Sequence, residues 1–489
     1  MKSNIFKFAV MHGKYLPCII VLFIAFLVVS CNPSTKQLPY YLNQTLIYPD
    51  YSDVVLPPNI VPIKFRVNKT DAQKVKAVFQ YLENQFSVES QNKDVELNDK
   101  QWKQLCEEPG EVHVDLFEWK DNQWSKYSDF QFKVASDLIN THISYRLIAP
   151  GYELWSKMGL YQRDLTSYDE KPIYENTYNE DKCVNCHMPN QADNKAFVFH
   201  VRSKDGGTFI YQNGALSKVN GAVMDKQRKA FVHSAWHPSG RYIAFSMNNT
   251  KQIIHSSSTN RVEYTDLESD IVFYDLQKNK TLCFDALASD KAFETFPCFS
   301  PDGKTLYFAT APAVSFPDSI DKIRYSICAV AIDFEEGKLV GNIDTLYNAF
   351  ETGKSASMPR ISPNGAVLAY TVADYGNLMI WHREADLELY DLKQRRLLEA
   401  KMLNSEDTES YHSWSSNGRW LMFSSRRFDG LYTRPFIAYV SENGEVGKPF
   451  PLPQEDLTHY HNFEMSYSLP EFMNGFTPNV QAKVNDLIH

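Results

Sequence analysis

The sequence predicts an all-β protein in which a small immunoglobulin-like β-sandwich precedes a β-propeller. Two patterns carry this prediction: alternating strands before residue 150 and a four-fold repeat after residue 230. The chain has 489 residues, of which 43% are hydrophobic and 14% aromatic, a composition that favours an ordered body rich in strand. This length exceeds what one small core can accommodate, so we expect two or more domains.

The first residues have the pattern of an export signal. Its start is made basic by three lysines: Lys2, Lys7 and Lys14. The following run, Cys18–Val29, is apolar but shorter than a comfortable bilayer span, which is typical of a signal peptide rather than a transmembrane helix. We therefore expect residues 1–30 to be a signal peptide.

The end of this run, Val28-Val29-Ser30-Cys31, resembles the lipobox of bacterial lipoproteins, in which cleavage precedes a cysteine that receives lipid. Cys31 is therefore the expected lipid attachment site, with residues 31–58 as a polar tether. An ordinary signal peptide or an uncleaved anchor is the alternative. The expected location is the periplasmic side of a bacterial membrane or cell envelope, with the lipid bilayer as one partner.

Residues 59–150 are the expected β-sandwich. Apolar residues alternate with polar ones in four short runs, beginning at Ile63, Val112, Phe130 and Ile143. Residues Asp99–Cys106 are expected to form one or two helical turns, capped by Asn98 or Asp99.

The most specific motif of the chain is Cys183-Val184-Asn185-Cys186-His187. Two thiols at this spacing, followed by a histidine, are typical of covalent c-type haem attachment, in which His187 would give a neutral imidazole nitrogen to the iron. Other interpretations are a lone disulfide, half of a zinc site, or coincidence. A zinc site would need a second ligand pair at similar spacing, and no second Cys pair occurs. One covalent haem c is therefore the expected cofactor.

The expected haem-attachment segment is residues 151–195. It is dense in aromatic residues, which would either cover the haem or serve ordinary packing: Tyr152, Trp155, Tyr161, Tyr168, Tyr174 and Tyr178. His200 is the leading candidate for the second iron ligand, because Met188 is too close to His187 to reach the opposite ring face. Weaker candidates are Met158, Met224, His233 and His237, and a vacant sixth position is a further alternative.

A repeat occurs four times after residue 230: SAWHPSGRYIAFSMN, PCFSPDGKTLYFATA, PRISPNGAVLAYTVA and HSWSSNGRWLMFSSR. Each copy is a hairpin with a glycine in its turn, and a second hairpin follows each copy. Two hairpins make a four-stranded sheet, and such sheets stack radially as a propeller. We expect the propeller over residues 196–470, with five blades as the first expectation and six as the second, and a tail over residues 471–489. An open sandwich is the alternative.

These repeats resemble those of TolB-like periplasmic proteins. With CVNCH, the whole chain resembles bacterial lipoproteins that fuse a single haem-c motif to a TolB-like propeller. Met188-Pro189 departs from this pattern, in which we expect a small polar residue and an aromatic one. The resemblance implies fold, cofactor and compartment but supplies no substrate.

Four further cysteines are expected to be free, although one disulfide among them is an alternative: Cys106, Cys283, Cys298 and Cys328. Three arginines after the last repeat turn could ring an anion site or form ordinary surface ion pairs: Arg426, Arg427 and Arg434.

The formal net charge of −9, without a long basic run, argues against nucleic acid as a partner. The preferred function is electron transfer, or a redox-active docking scaffold for a periplasmic or membrane redox partner protein. One alternative is a propeller binding module for a protein, peptide or glycan partner, in which the haem is structural or sensory. Another is a haem reductase or peroxidase. A hydrolase is disfavoured because no GxSxG motif follows the repeats.

Overall fold

The computed structural model describes residues 44–149, 157–178, 183–202, 205–219, 231–255, 258, 260–314 and 320–488. The expected signal peptide, Cys31, Tyr152, Trp155 and Met224 lie outside the described residues.

Two packed sheets form the N-terminal β-sandwich. One sheet has the order β1 (Ile47–Tyr48), β3 (Lys64–Val67), β6 (Asp94–Glu96). The other has the order β2 (Val55–Leu56), β8 (Gln123–Val134), β7 (Gly110–Lys120), β4 (Val75–Tyr81), β5 (Asn84–Ser90). The Phe65 ring lies 5.5 Å from that of Phe130 and joins the two sheets in one core.

Helix α1 (Asp99–Leu105) confirms the predicted helical turns. Asn98 is its N-cap, because the Asn98 side chain accepts from the Gln101 backbone and the Gln101 side chain accepts from the Asn98 backbone. Trp102 donates its indole N–H to the Ile60 carbonyl at 2.8 Å and ties the helix to the core.

Six four-stranded sheets, or blades, follow among the described residues. Blade 1 comprises β9 (His142–Ile148), β10 (Met158–Asp164), β11 (Glu170–Glu175) and β32 (Ser466–Met473). Blade 2 comprises β12 (Cys183–Asn190), β13 (Asp193–Arg202), β14 (Gly207–Gln212) and β15 (Ala215–Lys218). Blade 3 comprises β16 (Phe231–Trp236), β17 (Tyr242–Ile254), β18 (Val262–Asp275) and β19 (Lys280–Cys283).

Blade 4 comprises β20 (Ala292–Phe299), β21 (Thr305–Pro312), β22 (Ser326–Asp333) and β23 (Lys338–Tyr347). Blade 5 comprises β24 (Ser355–Ile361), β25 (Val367–Ala373), β26 (Asp386–Asp391) and β27 (Arg396–Leu397). Blade 6 comprises β28 (Glu409–Trp414), β29 (Trp420–Ser425), β30 (Arg434–Tyr439) and β31 (Phe450–Pro451).

The six inner strands contact one another in a closed ring, in the order β32, β12, β16, β20, β24, β28 and back to β32. This ring makes the body a β-propeller, as predicted. All four glycines of the repeat turns have positive φ, as the predicted hairpins require: Gly240, Gly303, Gly365 and Gly418.

The ring closes through blade 1, whose inner strand comes from the far end of the chain. Strand β32 pairs antiparallel with β9, so that Tyr467 lies opposite Leu147. The first expectation of five blades is therefore wrong, and the second, six, agrees with the structure. Blade 1 has no repeat turn in the sequence because its strands come from two distant segments.

Two expected boundaries also change. Strands β1 and β2 extend the sandwich into the segment expected to be a tether, and the sandwich ends at Val134. Strand β9, expected in the sandwich, belongs to the propeller together with residues 157–195. Alternation alone could not separate these cases, because the strands of both domains have the same two-residue period.

Three further helices are short: α2 (Ala349–Thr352), α3 (His459–Asn462) and α4 (Gln481–Ile488). Helix α4 lies in the expected tail and buries Val484 against blades 1 and 2. Turns of 3₁₀ helix occur at Asn176–Tyr178, Asp285–Leu287, Ile320–Lys322 and Lys401–Leu403. A search of the described helices finds none with the length and apolarity to cross a membrane. All six described cysteines are free.

Candidate functional site

Every inner strand carries a two-residue bulge at the same level of the central channel. The first bulge residue has positive φ in each blade, and we call these six residues the bulge ring: Cys186, His233, Phe296, Met358, Tyr411 and Leu469. Phe296, Met358 and Tyr411 are buried together although they belong to three blades, which places their side chains at the axis. The bulge ring therefore separates an upper mouth, where the inner strands begin, from a lower mouth, where they end.

The CVNCH motif lies on strand β12, the inner strand of blade 2. Its first residues are paired with β13, with Cys183 opposite Arg202 and Asn185 opposite His200. Cys186 occupies the bulge ring at φ 54° and is buried. Burial raises the pKa of the Cys186 thiol, so that it is held as the neutral thiol.

His187 is buried on the side of blade 2 that faces blade 1. Burial, together with the nearby Arg146 guanidinium, lowers the pKa of His187 to about 3, and the Ser144 backbone opposes this only in part. Neither ring nitrogen has a hydrogen-bond partner of good geometry in the described part of the chain. His412 lies at the equivalent bulge position of blade 6 with the same two unpaired nitrogens, so this property alone does not single out His187.

His200 does not lie where the predicted iron ligand should be. Its Nδ1 lies 2.9 Å from the Thr208 hydroxyl, which in turn donates to the Phe231 carbonyl of blade 3. His187 and His200 thus lie on opposite faces of the blade 2 sheet. A single iron between them would have to lie within that sheet, so the structure does not bring the two predicted ligands together, and His200 as the second ligand stays a prediction.

The residues of CVNCH match a haem c in donor chemistry, since two free thiols and a neutral imidazole are present. Their geometry does not match. The Cys186 thiol lies beside the His233 backbone of blade 3, whereas His187 is packed toward Ser144 of blade 1. One flat ring system cannot be bonded to Cys186 and lie over His187 while β12 keeps this conformation. The residues as placed therefore do not form a haem site.

The aromatic residues before the motif serve ordinary packing where they are described. Tyr174 packs against Phe199 between blades 1 and 2, with ring centroids 5.7 Å apart. The Tyr161 hydroxyl donates to Glu175 at 2.6 Å, and Tyr168 packs against the sandwich core. Of the weaker ligand candidates, Met158 is buried between these blades, His233 stacks on Phe296, and His237 lies in a turn near Gly303.

The lower mouth holds a cavity of about 390 Å³ to which all six blades contribute. Its walls are largely aromatic and proline side chains: Trp236, Phe299, Trp414, Phe472, Pro189, Pro238, Pro297, Pro301 and Pro363. Both indole N–H groups are already used, since Trp236 donates to the Met188 carbonyl and Trp414 to the Arg360 carbonyl. This volume and lining are those of a typical ligand site.

One ion pair lines this cavity. Arg360 donates to both carboxylate oxygens of Glu471 at 2.8 and 2.7 Å, and the two side chains are 25% and 7% exposed. Burial raises the pKa of Glu471 although Arg360 opposes the shift. The pair leaves the cavity without net charge. Sequence reasoning missed it because the partners are 111 residues apart and neither belongs to a recognised motif.

The upper mouth is covered by the long hairpin of β17 and β18. Asp266 on this hairpin accepts hydrogen bonds from Asn248, Thr250, Tyr325 and Asn377, which ties blade 3 to blades 4 and 5. No cation pairs with Asp266 among the described residues. Burial raises the pKa of Asp266 to about 6, although the four donors oppose the shift.

The predicted arginine group is divided among different roles. Arg427 pairs with the buried Glu409 at 3.1 Å, and Arg434 donates to three backbone carbonyls. Arg426 lies 3.4 Å above the Trp381 ring and donates to the Ile380 carbonyl. These three arginines therefore do not form one anion site.

Searches against family models and curated proteins find no match. Among solved structures, a puromycin-hydrolysing peptidase of Mycobacterium tuberculosis is similar at 11% identity and a TM-score of 0.36, over 71% of this chain and 52% of that one. This chain thus spans about half the length of that peptidase.

Two further solved structures illustrate the similarity to this chain. The β-propeller domain of the Trilobed protease from Pyrococcus furiosus has 11% identity and a TM-score of 0.33, over 71% of this chain and 95% of that one. An oligogalacturonate lyase in complex with manganese has 9% identity and a TM-score of 0.34, over 63% and 73%. Similarity this low carries no argument about function, so the propeller assignment rests on the closed ring of blades.

Proposed function

We propose that this protein is a propeller binding module that receives an apolar segment of a protein partner in the cavity of the lower mouth. The observation that carries the proposal is a concave, mostly apolar cavity of about 390 Å³ on the propeller axis, built by all six blades. Rigid blades hold its walls in place, so little ordering would be needed when a partner binds.

The lining favours a peptide over a glycan. Glycan hydroxyls need many hydrogen-bond partners, whereas the two indole N–H groups of this cavity are already bonded to backbone carbonyls. The Arg360–Glu471 pair is internally neutralised, which disfavours a strongly charged ligand. Proline and aromatic walls offer surface to the apolar side chains of an extended peptide.

The test introduces a charge at the rim. Pro363 lines the cavity and is exposed, and its turn position tolerates most residues, so Pro363→Arg should fold and hinder an apolar occupant. Pro312→Arg is the matched control, since Pro312 is exposed at the opposite end of blade 4. Wild type and Pro312→Arg should capture the same partner from the solubilised cell envelope, and a synthetic peptide from it should bind one to one. Equal binding of that peptide by Pro363→Arg would refute the proposal.

A second candidate is electron transfer by a haem c attached to Cys183 and Cys186, with His187 as iron ligand. It is favoured by the motif itself and by the neutral, unpaired imidazole of His187. It requires that β12 release His187 from its packing toward blade 1. Absorption spectra of protein purified from native membranes, oxidised and reduced, test it together with the intact mass. A mass equal to polypeptide plus lipid alone would exclude this candidate.

We also propose that the chain is exported and anchored by lipid at Cys31, on the grounds of the sequence pattern. Cys31→Ser should release the protein from the membrane fraction. Unchanged membrane association of that variant would contradict the lipid anchor.

A further inference from the structure

We propose that the upper half of the channel contains a second binding site, in which Arg146 binds the carboxylate or phosphate group of a small ligand. This site lies across the bulge ring from the cavity of the lower mouth and is independent of the function proposed for that cavity. The argument rests on how Arg146 differs from the other buried arginines and on what surrounds it.

Among the described residues, no anion pairs with the buried cation of Arg146. It lies on β9 and is 6% exposed, and no carboxylate lies within 4 Å of it in the part of the chain that the structure describes. Its two hydrogen bonds are long: 3.5 Å to the Val184 carbonyl and 3.3 Å to the Ser468 hydroxyl. Its Nε has no hydrogen-bond partner within the described ranges. Burying a guanidinium with so few short hydrogen bonds is unfavourable unless an anion accepts its remaining N–H donors.

Two of the other buried arginines, Arg163 and Arg426, also have no carboxylate within 4 Å among the described residues, and the Nε of Arg163 likewise has no partner there, but the hydrogen bonds of the other buried arginines are shorter than those of Arg146. Arg163 donates to the Pro453 carbonyl at 2.5 Å and to Gln454 at 2.8 Å. Arg426 and Arg434 each donate at least one bond shorter than 3.0 Å to a backbone carbonyl. These bonds anchor their guanidinium groups in place, whereas the long bonds of Arg146 leave donors for a ligand.

The guanidinium of Arg146 faces the channel. Its two bonds reach the inner strands of blades 1 and 2, and its charge acts on Tyr411 of blade 6 and Tyr264 of the blade 3 hairpin. The hydroxyls of both tyrosines have no protein partner among the residues described and can donate to an oxyanion.

A second cation lies at the same mouth. Arg202 is exposed and stands opposite Cys183 at the beginning of β12, and its charge acts on the same two tyrosines. Two guanidinium groups and two phenols match carboxylate or phosphate oxygens, which arginine binds through paired N–H donors.

Calorimetric titration of the full chain at constant ionic strength, with inorganic phosphate and with malonate as probes, tests the proposal. We expect saturable binding of one anion, and the tighter probe identifies the ligand class. Arg146→Gln should weaken binding by at least about tenfold, whereas Arg163→Gln, which changes an equally buried arginine outside the channel, should leave it within about twofold.

Arg202→Gln changes an exposed residue and should fold, and a loss of about threefold or more is expected. Non-saturating titrations of the wild type, or unchanged affinity in Arg202→Gln, would overturn the proposal even if Arg146→Gln failed to fold. Pro363→Arg should bind the anion normally, which separates this site from the lower cavity.

Discussion

Replacing Asp266 with asparagine should make the protein gain stability relative to wild type as the pH rises. Asp266 is buried on the hairpin over the upper mouth, has four donors and no cation among the residues described, and its pKa is raised from 3.8 to about 6. A carboxyl with a raised pKa stabilises the fold below its unfolded pKa, and this contribution is lost as the pH rises through the folded pKa. The loss therefore occurs between about pH 4 and pH 6.

The magnitude follows from the two pKa values. Raising a carboxyl pKa from 3.8 to about 6 corresponds to about 3 kcal/mol. Asparagine has no charge to bury, and the hydroxyls of Thr250 and Tyr325 can rotate to accept its N–H groups. Because a small part of this contribution is already lost at pH 4, the difference in unfolding free energy between Asp266→Asn and wild type should shift by about 2.5 kcal/mol in favour of the variant between pH 4 and pH 7.5.

Urea denaturation followed by tryptophan fluorescence at several pH values measures this difference. Other titrating groups, including Glu294 with a pKa raised to about 7 by burial, are shared by both proteins and cancel. If the difference in unfolding free energy between the variant and wild type is the same at pH 4 and pH 7.5, the pKa of Asp266 is not raised by burial, and the prediction is refuted.

Three further predictions concern stability. Glu471→Gln leaves Arg360 without its counter-charge and should cost about 2–4 kcal/mol, whereas Arg360→Met combined with Glu471→Leu should cost less; denaturant midpoints compare them. Gly303→Ala should cost about 2–3 kcal/mol, because its φ of 74° is strained for alanine and its Cβ would collide with the His237 ring. Gly214→Ala, at φ 83° with open space, should cost only about 1–2 kcal/mol, and thermal unfolding of both glycine variants compares the two losses. Truncation after Met465 removes β32 and should abolish cooperative unfolding by calorimetry, since blade 1 would lose its inner strand; a sharp transition near the wild-type temperature would contradict the closure.

Sequence reasoning succeeded where structure is local. The four repeat turns are hairpins with positive-φ glycines because a tight turn requires that conformation within a few residues. The N-cap of α1 was equally predictable, since Asn98 and Gln101 lie three residues apart. The motif CVNCH was visible for the same reason, but its spacing alone does not specify the surroundings of its side chains.

Pairing between distant segments could not be predicted. The sixth blade forms because β32 pairs with β9 over more than 300 residues, and neither strand carries a repeat signature. His187 and His200 lie on opposite faces because a bulge at Cys186 shifts the register of β12, and the sequence does not mark the bulge.

The sequence by itself determined the all-β class, the turn positions and the blade repeats, since strand alternation and turn chemistry act over a few residues. Only the tertiary structure decided the number of blades, the cavity with its Arg360–Glu471 pair and the weakly hydrogen-bonded, buried guanidinium of Arg146. The physical reason is that burial and charge pairing depend on which distant strands become neighbours, and these neighbours are fixed only when all the blades pack together in the closed ring.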